Sequence, residues 1–213
     1  MAIIHRTTLK PTKVELLTTW LPTRAWYQGG PAAPELTKAG GFRLDDPEGE
    51  VGIEFMVATD ASGPAPAAYL VPLTYRGAPL NGAEDALVGT MEHGVLGKRW
   101  AYDGCQDPVL RAELLALIEG RVQAMAQSIT DTPDHEVTRD YGGGSPTVKG
   151  PLTTATDTTE STELHTADGK LLRVHRILRP AALPAEGVLG HVTGAWQATA
   201  DTRARAVFVT LHA

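Results

Sequence analysis

Four stretches decide the fold: EVGIEFMVATD (50–60), YLVPLTYRG (69–77), ALVGTMEHGVLGKRWAYDG (86–104) and DPVLRAELLALI (107–118). Apolar and polar residues alternate in the first three, and that period of two is typical of β-strands. The alternation predicts one strand face with Val51, Ile53, Phe55 and Val57, another with Tyr69, Val71, Leu73 and Tyr75, and a third with Leu96, Lys98, Trp100 and Tyr102.

Turn and proline signals organise these strands. The residues Asp60, Ser62 and Gly63 favour a turn, so the first two strands are predicted to form a hairpin. Pro72 has no N–H to donate to a neighbouring strand, and it therefore predicts that the second strand lies at a sheet edge or contains a bulge.

The fourth stretch predicts an amphipathic helix that the strands would cover. Asp107 is a favourable N-cap, and Pro108 suits the first helical position. The spacing predicts a helix from Pro108 to about Ser128, with Gly120 inside it at a cost of about 1 kcal/mol. Its apolar stripe is Leu110, Leu114, Leu117, Ile118 and Val122.

The flanking regions predict further elements. Before the central stretch we expect a short strand over residues 2–9, a helix from Thr12 that Pro22 ends, a loop over residues 29–40 and a strand from Gly41. After it, residues 130–150 are rich in Thr, Asp, Pro and Gly and predict a flexible joint. Residues 151–213 predict hairpins around Asp168-Gly169 and Asp201.

Composition excludes several classes of function. The chain has 213 residues and a formal net charge of -6, and its scattered basic residues argue against nucleic acid as a partner. The sequence contains no secretory signal and no apolar run of the ~20 residues that a membrane helix needs. Cys105 is alone, so we expect a buried, inert thiol and a cytoplasmic location.

The order of these pieces resembles the N-terminal cap domain of bacterial maltokinases, over about residues 1–125. Those enzymes phosphorylate maltose with ATP. The matching positions are Trp20-Leu21-Pro22, Arg24, Trp26-Tyr27, Gly29, Pro72-Leu73, Tyr102-Asp103, Asp107-Pro108 and Leu114-Leu115, whereas Gly30 stands where the family has a lysine. The resemblance implies an α+β fold with a curved, cystatin-like antiparallel sheet packed on one or two helices, followed here by a C-terminal β-hairpin region.

The resemblance also implies a division of the chain. Residues 1–129 would be the cap-like domain, 130–150 the joint, and 151–213 a β-rich extension that resembles the first strands of a kinase lobe. In that extension Arg173 takes the place of the kinases' phosphate-contacting lysine. The chain has no His-x-Asp catalytic loop and no following metal motif. The resemblance therefore implies a stand-alone cap-like protein that is not a phosphotransferase.

Other catalytic and cofactor motifs are weak. Residues 142–149 are glycine-rich but lack the Gly-Lys-Ser/Thr ending of a phosphate-binding loop. The histidines have no metal-ligand spacing, and no Gly-x-Ser-x-Gly elbow occurs. We therefore predict no cofactor, no metal and no catalytic residue. Carboxylates that could still act in glycoside chemistry are Glu50, Glu54, Asp60, Glu92 and Asp103.

Aromatic residues and loop residues beside the matched motifs are the candidate contacts for a ligand or partner. Aromatic rings stack on sugars and anchor protein partners, although they also fill cores. The candidates are Arg24, Trp26, Trp100, Tyr102 and Asp103. They leave two hypotheses open: a binding or regulatory protein with a protein partner in sugar metabolism, and a small saccharide-binding module or carbohydrate-active enzyme. The edge predicted at Pro72 also leaves a homodimer open.

Overall fold

Two helices and thirteen strands make up the described part of the protein. The computed structural model describes residues 8–129, 131–142, 150–181, 184 and 186–213. The helices are α1 (Lys13–Trp20) and α2 (Pro108–Glu119), and 3-10 turns cover Leu21–Thr23, Glu84–Ala86 and Gly104–Gln106. The strands are β1 (Leu9–Lys10), β2 (Leu36–Asp45), β3 (Gly52–Asp60), β4 (Ala67–Arg76), β5 (Leu87–His93), β6 (Gly97–Asp103), β7 (Met125–Ala126), β8 (Thr138–Tyr141), β9 (Leu152–Asp157), β10 (Ser161–Thr166), β11 (Leu171–His175), β12 (Gly190–Thr199) and β13 (Thr202–His212).

All of these strands belong to one sheet. Its order is β1-β5-β6-β4-β3-β2-β12-β13-β11-β10-β9, with β7 beside β2 and β8 beside β12. Only Trp196 and Gly40 pair β12 with β2. A bridge between Tyr69 of β4 and Ile177, just after β11, closes a ring of neighbouring strands. The predicted α+β class is confirmed in this form: a mostly antiparallel sheet with two short helices.

Both faces of the central strands are buried. Odd-numbered residues of β3, such as Ile53 and Phe55, join a large core that includes α2 and the C-terminal strands. Met56 and Ala58 point to the other side and join a second core with α1. This arrangement explains why the strands carry long apolar runs as well as alternation, since a strand that is covered on both faces has no polar side.

Helix α2 begins where the sequence predicts it and ends earlier. The Asp107 side chain accepts the N–H of Val109, and Pro108 occupies the first turn. The prediction that the helix continues to about Ser128 is wrong, because Gly120 adopts a left-handed conformation (φ 78°) and ends the helix as its C-cap. Gly120 therefore lies at the helix end and not in its interior.

The prediction of an edge or bulge at Pro72 is also wrong. Strand β4 is an interior strand, and its register with β3 continues unbroken past the Phe55–Pro72 pair. On its other side, β4 pairs with Ile177 before the proline, at Tyr69, and with β6 after it, from Leu73 onward. Pro72 stands between these two partner segments, so its missing N–H costs no strand hydrogen bond. The possible homodimer was inferred from a sheet edge at Pro72, and β4 is not an edge strand, so this reason for a homodimer no longer holds.

Other predicted elements are confirmed with shifted bounds. The β3–β4, β10–β11 and β12–β13 hairpins and helix α1, capped by Thr12, form as predicted. The predicted loop over residues 29–40 is wrong for its last part, since β2 begins at Leu36. The alternation of apolar and polar residues did not predict β5 as a separate strand, because the pattern is interrupted at Gly89. The structure has a register shift at the same place, between Leu87 and Gly89. Most of the strand predicted over residues 2–9 lies outside the described residues.

The region after α2 joins the same sheet. Strand β8 pairs with β12, and the large core contains side chains from both halves of the chain, such as Phe55 and Phe208. Residues 143–149, which include most of the glycine-rich run, lie outside the described residues. The three-part division of the chain stays a prediction.

Candidate functional site

A buried ion pair joins the end of β6 to the segment after β11. Asp103 is 4% exposed and Arg176 is fully buried. The Arg176 Nη2 atom donates to both carboxylate oxygens of Asp103, at 2.7 and 2.6 Å. Burial acts to lower the pKa of Arg176, but the charge of Asp103 outweighs it and the pKa is raised. Arg176 is therefore held as a cation in the interior, directly against the Asp103 carboxylate.

The network continues from this pair to Trp26. Arg176 Nε donates to Thr162 at 2.7 Å, and Thr162 contacts Asp157 at 2.5 Å. The indole N–H of Trp26 donates to the other oxygen of Asp157 at 3.3 Å. The guanidinium of Arg176 also lies 4.9 Å from the centre of the Trp26 ring, within cation–π range. These contacts fix Asp103 and Asp157 in position.

A polar cleft opens beside the network. Its volume is about 270 Å³. Its lining residues come from the turn after α1, the loop before β5, the end of β6 and the end of β9: Arg24, Gly82, Ala83, Glu84, Asp85, Ala86, Asp103, Gln106 and Asp157. Arg24 is half-buried and its guanidinium lies 4.9 Å from the centre of the Trp20 ring. The cleft is the candidate functional site.

The five residues predicted from the sequence occupy different places. Arg24 and Asp103 line the cleft. Trp26 is fully buried beneath it and contacts the lining residue Asp157 through its indole N–H. Tyr102 is also buried, and its hydroxyl accepts the N–H of Leu80 at 2.8 Å. Trp100 is half-buried on β6, under the ammonium of Lys98, and does not line the cleft.

Sequence reasoning missed several residues of the site. Arg176 lies 73 positions from Asp103, and Asp157 lies 131 positions from Trp26. No local pattern links residues at such separations, because only the folded sheet brings them together. The exposed carboxylates Glu84 and Asp85 belong to a loop that looked unremarkable in the sequence. Their only signal is that two acidic residues follow a Gly-Ala turn.

A second polar cluster, around Glu54, fastens α1 to the sheet. Glu54 is buried and accepts hydrogen bonds from Lys13, from Lys38 (3.3 Å), from the Tyr75 hydroxyl (2.8 Å) and from Gln127 (2.9 Å). Burial alone would raise the pKa of Glu54, but the two lysines lower it to about 2. Among the carboxylates considered for glycoside chemistry, Glu54 is thus a structural anion with its partners already in place.

Cys105 lies next to the buried ion pair. Burial raises the pKa of its thiol to about 12. Cys105 is buried, as the sequence predicts, and a thiol with a raised pKa is a poor nucleophile. Among the described residues, no group of three or more His, Cys, Asp or Glu side chains is arranged to hold a metal ion. None of the described helices is long and apolar enough to cross a lipid bilayer.

The fold and the cleft define a mostly antiparallel α+β protein with a polar site at the meeting point of its two halves. Residues 20–107 match the family model of the maltokinase N-terminal cap domain, so this part of the chain resembles that family. Among curated proteins, none matches the chain. The cleft lining falls within the matched range except for Asp157, which comes from the C-terminal strands.

Proposed function

We propose that this protein is a non-catalytic, cap-like binding or regulatory protein of the cytoplasm, and that it binds a protein partner in carbohydrate metabolism. The observation that carries the proposal is the match of residues 20–107 to the maltokinase cap domain. A cap domain belongs to a sugar-metabolising enzyme, so a sugar kinase or a glucan enzyme is the natural class of partner. The resemblance also implies that the antiparallel sheet is curved as in cystatins, and we include that curvature in the proposal.

The chemical state of the polar groups supports a binding role. Asp103 and Glu54 are neutralised by buried or half-buried cations, and the Cys105 thiol is inert. Arg173, which stands where the related kinases have a lysine, donates two hydrogen bonds to Glu163 at 3.2 and 2.9 Å on the neighbouring strand. Groups engaged in this way stabilise a scaffold, and they are not poised to transfer a proton or a phosphoryl group.

Binding to a sugar enzyme can be tested directly. The tagged chain is used to recover proteins from its native cytoplasm, and each sugar kinase or glucan enzyme recovered is purified and titrated against the chain. We expect at least one to bind with a Kd of about 10 μM or tighter, which corresponds to roughly -7 kcal/mol. If none of the recovered sugar enzymes binds in the purified titration, the proposal is wrong.

Catalysis is tested separately. The purified protein is incubated with ATP, Mg²⁺ and maltose, trehalose or glucose, and ADP release is followed. We expect no sugar-dependent ADP above the blank without protein. ADP release that depends on any of these sugars and is proportional to the protein concentration would overturn the non-catalytic role.

The cleft favours a second candidate, a saccharide-binding module. Its polar lining could accept hydrogen bonds from sugar hydroxyl groups, and its volume of about 270 Å³ suits a small ligand. Calorimetry with glucose, maltose, trehalose and glucan fragments tests this candidate. Heat that saturates with one of them, and that is lost in Asp157→Ala, would favour it, whereas no heat with any of them would exclude it.

A further inference from the structure

A buried hydrogen-bond donor without an acceptor lies directly behind the lining of the cleft. Arg176 is fully buried; its Nη2 contacts both oxygens of Asp103, and its Nε reaches Asp157 through the Thr162 hydroxyl. Its remaining nitrogen, Nη1, is also buried, and no atom of the described residues accepts a hydrogen bond from it. Since Nη1 shares a carbon atom with Nη2, it lies one side-chain layer behind a residue that lines the cleft. A buried charged donor without an acceptor is costly, so a ligand that relieves this cost has to bring an acceptor.

A second unmatched donor lies beside the same cleft. Trp20 is 6% exposed, and no atom of the described residues accepts a hydrogen bond from its indole N–H. Its ring lies against the lining residue Arg24, whose guanidinium carbon is 4.9 Å from the ring centre. A cationic ligand carries donors and no acceptor, and it would leave both Trp20 and Arg176 unsatisfied.

The charge of the lining disfavours an anion. Glu84, Asp85, Asp103 and Asp157 contribute carboxylates to the lining, and Arg24 contributes a guanidinium. A concave site with an excess of negative charge repels phosphates, carboxylates and other anions. The acceptor that the ligand brings must therefore belong to an uncharged group.

We infer that the cleft binds an uncharged ligand with neighbouring hydroxyl groups, which is a polyol or a single sugar ring. A hydroxyl group has one hydrogen to donate and two lone pairs to accept. One such group can therefore donate to Asp103 or Asp157 and accept from Nη1 of Arg176. The lining residues that the structure describes include no aromatic ring, so recognition depends on the hydroxyl groups and not on ring stacking.

The order and the size of the site support this class of ligand. Arg176 holds Asp103, while Thr162 and Trp26 hold Asp157, so a ligand loses little free energy in ordering these two carboxylates. The volume of about 270 Å³ lies below the usual range of ligand pockets, about 300 to 1,000 Å³, which favours one ring over a longer saccharide. The inference rests on the second candidate function, saccharide binding, and deepens it by naming the donor that selects the ligand.

The test follows the guanidinium group of Arg176 by NMR in protein that contains ¹⁵N-labelled arginine. The probes are D-glucose, D-mannitol and myo-inositol; D-glucuronate is the anionic control, and agmatine is a cationic control without an acceptor. We expect at least one probe to bind with a Kd of roughly 5 mM and to shift the Nη1 resonance of Arg176. Both controls should bind at least about tenfold more weakly. No binding by any probe, or a control that binds as tightly as the best probe, would overturn the inference.

Matched variants separate the roles of the side chains. Arg176→Lys keeps a positive charge beside Asp103 and removes Nη1, and Asp157→Ala removes an exposed acceptor of the lining. Each should weaken the best probe about tenfold. Glu92→Gln removes an exposed carboxylate outside the cleft and should leave the affinity unchanged. If Arg176→Lys does not fold, the Nη1 resonance of the parent protein decides the question.

The outcomes distinguish this inference from the functions on which it builds. A saccharide that binds while the Nη1 resonance stays in place would preserve the saccharide-binding candidate and overturn the role of Arg176. Failure of every uncharged probe would overturn the inference and leave the binding of a sugar enzyme, which is measured in a separate titration, unaffected.

Discussion

At the scale of single residues, the protein depends on one pair of charges that it cannot leave unmatched. Arg176 and Asp103 are both buried, and each would be a bare ion in an apolar interior without the other. The attraction between two buried ions is largely offset by their desolvation, so the intact pair adds little net stability. Removing one member alone destabilises the protein, because the remaining charge stays buried without a partner.

Arg176→Met should therefore destabilise the protein by about 3 to 5 kcal/mol, since it strands the Asp103 carboxylate. Urea unfolding followed by circular dichroism measures this change. The double variant Arg176→Met with Asp103→Leu should recover a large part of the loss, because no buried charge remains.

Arg179→Met is the matched control three residues away. Arg179 pairs with Glu160, but the two side chains are 62% and 58% exposed. Exposed pairs contribute about 1 kcal/mol or less, so this variant should unfold nearly like the parent protein. Equal losses in the two arginine variants would show that the pair with Asp103 is no more important than a surface contact.

At the scale of elements, the effect of Gly120→Ala on the free energy of unfolding distinguishes two interpretations of Gly120, as an interior residue of α2 or as its C-cap. An alanine inside a helix would be more stable than glycine by about 1 kcal/mol. Gly120 has a left-handed backbone, and a Cβ there would also come within 2.0 Å of the Arg139 side chain. Gly120→Ala should therefore destabilise the protein by about 1 to 2 kcal/mol.

Gly30→Ala is the comparison for that variant. Gly30 has no left-handed backbone, and a Cβ there would meet no atom within 4 Å. It should be neutral or stabilising by up to about 1 kcal/mol, because alanine restricts the unfolded chain. Thermal unfolding of both variants at one pH is sufficient, and a stabilised Gly120→Ala protein would mean that the helix continues past residue 120.

Because Glu54 fastens α1 to the sheet, we expect the stability of the protein to decrease in acid. The folded-state pKa of Glu54 is about 2, against an ordinary value of 4.5. Its contribution to stability is therefore complete above pH 4.5 and disappears as the pH falls toward 2. The shift corresponds to about 2 kcal/mol once solvent screening of Lys38, whose side chain is 39% exposed, is allowed for.

Glu54→Gln should flatten the loss of stability between pH 4.5 and 2, as measured by urea unfolding across that range. His175 does not obscure the result. Its pKa is lowered to about 4 by burial and by Arg173, so its effect falls between pH 6.5 and 4. A parent protein and a Glu54→Gln variant with the same slope below pH 4.5 would contradict the assignment.

The local signals in the sequence predicted elements well, and their failures have a common cause. Asp107-Pro108 and Asp168-Gly169 act through their own backbone, and the elements that they predict are present. The predictions at Pro72 and Gly120 are wrong because each residue type suits two structural contexts. Proline is found at a sheet edge and also at a gap between two partner strands. Glycine is found as a weak point inside a helix and also at a helix end. The cleft depended on contacts such as Trp26 to Asp157, which no local pattern encodes.

At the scale of the whole molecule, the two halves of the chain share one core. Phe42 and Phe55 stack at 4.5 Å between ring centres, and Phe208 of β13 lies 6.3 Å from Phe42. The sheet runs through both halves, and the β4–Ile177 bridge joins them a second time. We therefore expect neither half to unfold alone.

Unfolding in urea should be a single transition. Tryptophan fluorescence, which reports on Trp20, Trp26 and Trp100 in one half and Trp196 in the other, should change together with far-ultraviolet circular dichroism. Phe208→Leu should shift both signals equally, although it changes only the C-terminal half. Two separated transitions, or a variant that moves one signal and not the other, would mean that the halves are independent.

The distance along the chain between Asp103 and its counter-ion bears on how the protein is made. A ribosome adds about 5 to 20 residues per second, so the 73 residues that separate the two take roughly 4 to 15 seconds to appear. During that interval the nascent cap-like part has a carboxylate with no guanidinium to bury it against. Its final docking must wait for the later strands, and a growing chain of this kind is a candidate client for a chaperone.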